Sequence, residues 1–359
     1  MILTKSNLVH FLLDRRLIAA EAVVAGDFAA REVLRHNRSF AVERQRERGL
    51  FIKQPILWDE LSVACIQREA ACYQLAQAPG WEGLRALIPS LVDFDAASST
   101  LVLELLAGVE PLQDHHARFR RFPVGTARAL GSALAAYHRV PVEAGAAALE
   151  IGVAWVLRRT FPPGYVEGEP RLGWLMARIR ETPGFEAALD ALAAEWRSDA
   201  LIHGDMKWEN CIARGGDGGE QAPELRIVDW ELAGVGDSAW DVGSALHSYL
   251  ACWVLGLPLG AAGSPWALAE ANEYPVEAMH PALRAFWRAY REGRGGVEPG
   301  FLLRAVRYAG ARLVQTTWEY SRTQAAVPGY THLLLQLGAN VLTRPEQAAR
   351  SLLGLDGGA

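Results

Sequence analysis

The residues best suited to chemistry fall within Leu201–Trp240. His203-Gly204-Asp205 is followed five positions on by Asn210, then by a polar, glycine-rich stretch, then by an apolar run ending at Asp229. Two carboxylates and an amide offer hard oxygen donors, the kind Mg²⁺ takes. A phosphoryl group keeps its charge on oxygen as it moves, so its transfer needs Mg²⁺ and an acceptor hydroxyl aimed in line. Asp205 can accept that hydroxyl's proton, while the Asn210 amide oxygen and the Asp229 carboxylate can bind metal. An ordinary hairpin with capping aspartates uses the same residue types, but only coincidence would give all of these spacings at once. One hairpin can position the set, with Asn210–Ala213 as first strand, Gly215–Gly219 as turn and Leu225–Val228 as return. It is predicted to bring Asn210 and Asp229 close together.

The string H-G-D-x-x-x-x-N, followed by an apolar strand into Asp229-Trp230-Glu231, resembles the catalytic and metal-binding loops of aminoglycoside phosphotransferases and choline kinases, relatives of the protein kinases. The resemblance implies an α+β, bilobal protein-kinase-like fold. Its small antiparallel-sheet N-lobe would be residues 1–107, and its larger, mainly helical C-lobe residues 108–359. It also implies ATP as donor and Mg²⁺ as cofactor, with Asp205 as catalytic base and Asn210 and Asp229 on the metal. Asp241 matches the family's later structural aspartate, and His203 is expected to shape the loop rather than exchange protons. Glu231 stays between two readings, an aid to metal or nucleotide binding and a plain loop carboxylate.

Upstream, three strand-like segments, Glu32–Leu34, Ser39–Val42 and Leu50–Lys53, are joined by polar turns, and the charged run 43–48 is an exposed one. Lys53 ends the third segment, where an ammonium can neutralise nucleotide phosphates. A helix over 61–76 carries Glu69, and an ion pair between the two would orient the lysine as in kinases. Glu60 is a competing carboxylate on or near that helix. Arg35-His36-Asn37-Arg38-Ser39-Phe40 occupies the place where kinases cover the nucleotide phosphates. It keeps an asparagine, Asn37, but lacks the family's glycines. Arg35, His36 or Arg38 can then contact phosphate instead, or the stretch is a charged turn. No GxxxxGK[ST] string is present. Leu101–Leu106 follows the Asp93–Ser99 turn as a buried strand, and the resemblance makes Leu105 and Leu106 the adenine-binding hinge.

A chain of 359 residues, 50% hydrophobic, can bury a substantial core. A formal charge of -5 gives no basic bias, which argues against nonspecific nucleic-acid binding. Cys65 and Cys72, seven apart, would be separated by about 10.5 Å of helical rise, beyond disulfide reach. Reduced thiols and a cytoplasmic protein are expected. The apolar N-terminal stretch is broken by His10, Asp14, Arg15 and Arg16, and Ala245–Gly263 reads as a buried helix and turn, so neither a signal peptide nor a membrane span is expected. Helices are predicted over 7–19, 125–138, 155–159, 185–196, 281–290, 301–320 and 332–342. The loop at Pro162-Pro163-Gly164 joins two of them, and His138 is expected to be structural. His115, His116, Arg118, Arg120 and Arg121 form a basic cluster that is either a solvated face or a border of the acceptor cleft.

The acceptor is read from charge and from short matches. Residues 281–330 carry Arg284, Arg288, Arg291, Arg294, Arg304, Arg307, Arg312 and Arg322 against Glu292, Glu298 and Glu319, a balance that suits an anionic or peptide acceptor. Lys207, two residues past the base, is placed like the lysine that steadies the transferred phosphate in serine/threonine kinases, and is assigned to catalysis. HGDMKWEN, NRSFAV and FIKQ also resemble the peptide kinases of class V lanthipeptide and thioamitide pathways. That resemblance implies Ser or Thr of a ribosomal precursor peptide as acceptor and a separate phosphate-eliminating lyase as partner. The alternatives are a small-molecule kinase acting on an aminoglycoside, sugar or amino alcohol, and a pseudokinase serving as a peptide-binding scaffold.

Overall fold

A computed structural model describes residues 1–34, 37–140, 149, 151–159, 170–258, 272, 274–323 and 328–356. The chain divides into two units, Met1–Val109 with Arg226–Ala233, and Glu110–Leu225 with Gly234–Ala359. A linear split after residue 107 does not contain the return of Arg226–Ala233 to the first unit.

In the first unit, β1 (Ala29–Leu34), β2 (Arg38–Glu43), β3 (Leu50–Gln54), β4 (Leu91–Asp95) and β5 (Thr100–Glu104) form one sheet in the order β1-β2-β3-β5-β4. All four pairings are antiparallel, with Phe40 opposite Ile52 and Ile52 opposite Val102. Period-two alternation puts Phe40, Val42, Leu50, Ile52 and Val102 on one face. There they pack with Leu3, Leu8, Phe11 and Leu12, which include the apolar stripe of the helix Leu8–Asp14. The same alternation sends Lys53 to the opposite face. The helix Glu60–Leu75 packs there, started by Asp59, whose carboxylate accepts the Ser62 N–H at 2.8 Å. Cys65 and Cys72 share that helix as free thiols. The turn expected from Asp93 is instead strand β4 followed by a 3-10 turn, Ala96–Ser98. Its Leu-Val-Asp-Phe-Asp sequence looks too polar for a strand, but an edge strand tolerates charge. Arg15 binds Asp93 through Nε and Nη2 at 2.7 and 2.8 Å.

The second unit is mainly helical. β6 (Glu110–Pro111) pairs antiparallel with β8 (Cys211–Arg214), and β7 (Ala200–Ile202) with β10 (Gly234–Gly236), while β9 (Glu224–Ile227) leads the chain back to the first unit. The first hairpin strand begins one residue later than expected, because Trp208–Asn210 forms a 3-10 turn that ends on Asn210. Two glycines let helices approach closely. A Cβ on Gly131 of the helix Val124–His138 would lie 2.2 Å from the Phe286 carbonyl oxygen on the helix Val276–Arg294. One on Gly243 of the helix Ser238–Leu255 would lie 2.5 Å from the Ala305 carbonyl oxygen on the helix Phe301–Thr323. Pro281 lies inside the first of these partner helices rather than at its start. Ser238–Leu255 begins earlier than hydropathy suggested, because the Asp237 carboxylate accepts the Ala239 N–H and starts it. No helix among the described residues is long and apolar enough to cross a membrane. Arg35, His36, the Pro162-Pro163-Gly164 loop and the end of the Ala245–Gly263 segment lie outside the described residues.

Candidate active site

The first unit gathers Lys53, Glu69 and Asp229. Lys53 Nζ donates to both Glu69 oxygens at 2.9 Å and to Asp229 Oδ1 at 2.6 Å. Strand parity aims the lysine at the Glu60–Leu75 helix, and Glu69, not Glu60, points back. Burial opposes the lysine's charge, but the two carboxylates outweigh it and its pKa rises. Full burial pushes the Glu69 carboxyl up against the pull of Lys53, and the Asp229 charge adds to the push. Asp229 follows β9 in the left-handed conformation, φ 71° and ψ 53°, and opens the 3-10 turn Trp230–Leu232. Aspartate tolerates this region better than most residues, and such strained positions gather at functional sites. The buried Trp230 ring anchors the turn, donating from Nε1 to the Ile227 carbonyl at 2.9 Å. Carboxylate oxygens of Glu69, Asp229 and Glu231 lie within 4.8 Å of one another. That donor set is all hard oxygen, which suits Mg²⁺. Asn37 is tied in at the side, its Nδ2 donating to Glu231 Oε2 at 2.9 Å.

The second unit holds Asp205, Lys207 and Asn210 on one loop between β7 and β8. Asp241 fixes the loop's entry, for its carboxylate accepts the His203 N–H at 2.6 Å, the Gly204 N–H at 3.1 Å and the Tyr137 hydroxyl at 2.6 Å. Gly204 sits at φ +80°, a backbone state that explains a glycine between His203 and Asp205. The His203 ring stays in the loop, Nδ1 accepting the Asp205 N–H at 3.2 Å. Asp205 is gripped by two cations, Arg312 Nη2 on Oδ1 at 2.9 Å and Lys207 Nζ on Oδ2 at 2.7 Å. Burial would raise its pKa, but Lys207 and then Arg312 overcome this and hold the carboxyl well below the usual range. Lys207 is in turn raised, its partner Asp205 prevailing over burial. Asn210 donates from Nδ2 to the Asp205 carbonyl at 2.9 Å.

Several sequence expectations land elsewhere. The Leu105 N–H donates to the Gly49 carbonyl at 2.8 Å, so that N–H is not open to adenine, and Leu106 is the other hinge residue the resemblance implies. Arg38 is directed to the Leu3 carbonyl rather than to a phosphate. Within the basic cluster past residue 107, His115 and Arg118 pair with Glu110 and His116 is buried. The arginine excess over 281–330 does not form an acceptor surface as a block. Arg304 binds Asp237 and Glu298, Arg307 binds Glu195, Arg294 reaches the His138 carbonyl, and Arg312 holds Asp205. Two features had no sequence signal, the Arg312 contact and the support beneath the loop. There the Trp208 ring lies flat on His116, centroids 4.1 Å apart and planes 5° from parallel, with Tyr249 edge-on at 4.8 Å.

Comparison with known proteins gives a consistent result. The model of the Phosphotransferase enzyme family, APH, matches residues 33–291. Macrolide 2'-phosphotransferase MphH from Brachybacterium faecium, as apoenzyme, is 19% identical, with 95% of this chain and 99% of that chain covered and a TM-score of 0.51. The GDP and kanamycin complex of APH(2")-IIia is 15% identical, covers 95% of this chain and 98% of that chain, and gives a TM-score of 0.53. No curated protein matches the chain significantly by sequence. The structural likenesses show the fold, an α+β kinase-like one with an antiparallel N-terminal sheet and a mainly helical remainder.

Proposed function

This chain belongs to the Phosphotransferase enzyme family and is a phosphotransferase acting on hydroxyl groups, and from that premise we propose that it moves the γ-phosphoryl of ATP onto an acceptor hydroxyl through Asp205. The acceptor oxygen bonds to the γ-phosphorus, the bond from that phosphorus to the β,γ-bridging oxygen breaks, and the hydroxyl proton passes to Asp205. The observation that carries this reading is the grip on Asp205, whose carboxylate is held charged and oriented by Arg312 at 2.9 Å and Lys207 at 2.7 Å. A carboxylate with so low a proton affinity is a weak base while both cations hold it. A phosphate draws Lys207 away from Oδ2, which raises that oxygen's proton affinity as the hydroxyl needs it, while Lys207 steadies the moving charge.

Lys53, oriented by Glu69, binds donor phosphate. Asp229 and Asn210 are the oxygen ligands assigned to Mg²⁺, each on its own chemistry, the first as a carboxylate and the second as an amide oxygen. Mg²⁺ supplies neutralisation of phosphate charge when bound. Leu106 offers the backbone donor for adenine.

Ser or Thr of a peptide remains the acceptor we favour, supported by Lys207 at the base and by the short matches to peptide kinases, and no longer by the arginine count. A small-molecule alcohol is the second reading, favoured by the engagement of Arg294, Arg304, Arg307 and Arg312 with partners inside the unit. Phosphate transfer from ATP with Mg²⁺, run with wild type and Asp205→Asn against Ser/Thr peptides encoded near the gene and a panel of hydroxylated small molecules, separates the two. Asp205-dependent phosphopeptide supports the peptide reading and predicts a lyase partner. Turnover of small alcohols alone replaces it, and transfer that survives in Asp205→Asn removes Asp205 from the role.

A further inference from the structure

Two arginines eight positions apart on the helix Phe301–Thr323 are both buried, and they are satisfied very differently. Arg304, 5% exposed, directs Nε and Nη2 to Asp237 and Nη1 to Glu298. All three of its nitrogens have carboxylate partners, as expected of a cation that holds the fold together. Arg312, 1% exposed, reaches one partner, Asp205 Oδ1 at 2.9 Å, while its Nε and Nη1 have no hydrogen-bond partner among the described residues. Burying a guanidinium with two donors unmet costs stability, so the contact it keeps is the reason for its place. Its guanidinium carbon lies 5.7 Å from the centroid of the Trp240 ring. Trp240 itself donates from Nε1 to the Gly204 carbonyl at 2.9 Å. The ring that backs the guanidinium therefore also holds the residue next to the base, and the circuit Gly204, Trp240, Arg312, Asp205 closes on itself.

We propose that Arg312, braced by Trp240, is a positioning residue for phosphoryl transfer, which locks the Asp205 side chain and reserves Oδ1 so that the acceptor's proton goes to Oδ2 alone. The inference rests on the reading of Asp205 as base. A guanidinium braced against a ring holds its N–H in one fixed direction toward Oδ1, whereas an ammonium on a flexible stem offers charge without that direction. Asp205 with Oδ1 released can rotate, and a small misplacement of a reacting group costs large factors in rate. Arg312 acts through Asp205 and leaves donor binding to other residues.

The test uses the full chain with Mg·ATP and water as acceptor, reading phosphate release for wild type, Arg312→Met, Arg312→Lys, Asp205→Asn and the Asp205→Asn/Arg312→Met double variant. The expected result is a fall in kcat on the order of tenfold or more for Arg312→Met with KM for ATP little changed, and no further loss in the double variant beyond Asp205→Asn alone. Additive losses, or a loss that appears only in KM, overturn the proposal. Should Arg312→Met fail to fold, Arg312→Lys decides. A clear kcat loss at an unchanged melting temperature supports the positioning role, and full activity overturns it. If Asp205→Asn itself retains wild-type phosphate release, the base assignment fails first, and the result is distinguishable from a failure of Arg312 alone.

Discussion

Lys53→Met tests the electrostatic design of the first unit most directly. The lysine is 8% exposed, Glu69 is 0% exposed, and the ammonium sits 2.9 Å from both Glu69 oxygens and 2.6 Å from Asp229 Oδ1. Methionine keeps most of the apolar stem and removes the charge, leaving a fully buried carboxylate without a cation beside a second one. Removing one partner of a buried pair costs roughly 3–5 kcal/mol, a large part of the ~5–15 kcal/mol of a native protein. The pH dependence gives the sharper signature. In the wild type burial pushes the Glu69 carboxyl up while Lys53 pulls it down. Without the lysine only the upward causes remain, burial and the Asp229 charge. A carboxyl whose folded pKa exceeds its unfolded value, about 4.3, binds more protons folded than unfolded between the two. Stability of the variant therefore falls as pH rises through that window and the full cost is present above it. Urea denaturation of the ligand-free protein should show the loss of roughly 3–5 kcal/mol near neutral pH and above, and a much smaller loss in mild acid. A loss under about 1 kcal/mol, the size of an exposed pair, or one that is equal at both pH values would mean that water screens the triad, and the reasoning would fail.

Other consequences are simpler to read. Asp205→Asn should lower the rate of phosphoryl transfer by ~10²–10⁴ while nucleotide binding, followed by calorimetry, persists. Asn210→Ala should raise the Mg²⁺ concentration needed for half-maximal rate in a metal titration, because the amide oxygen is lost; the loop also loses the Nδ2 bond to the Asp205 carbonyl but keeps its Asp241 and Trp208 supports. Gly131→Ala should destabilise the second unit by roughly 1–3 kcal/mol, since its Cβ would fall 2.2 Å from a backbone carbonyl. Gly152→Ala, where nothing lies within 4 Å of the new Cβ, should stay within about 0.5 kcal/mol in the same melt.

What the sequence made legible is what local geometry encodes. Lys53 and Glu69 were legible through the resemblance, with Glu60 left as a competitor, and strand alternation and the helix period explain why the fold brings Glu69 to the lysine. The loop from His203 to Asn210 carries its own spacing, so its members could be named together. Strand β4 was hidden because an edge strand does not need an apolar signature, and its two aspartates gain Arg15 only when the chain has folded. That the Leu105 N–H donates to the Gly49 carbonyl was hidden for a related reason, since Gly49 lies on another strand's approach. Charge counting treats unlike residues alike. Arg304 and Arg312 are the same residue type on one helix, and nothing local separates them. Asp237 and Asp205 separate them, brought from 67 and 107 residues away. A net positive segment thus says little about what an acceptor meets, because buried partners cancel some charges and give others a task. The surviving hint about the acceptor is the one fixed by a short distance along the chain, Lys207 two residues from the base it grips.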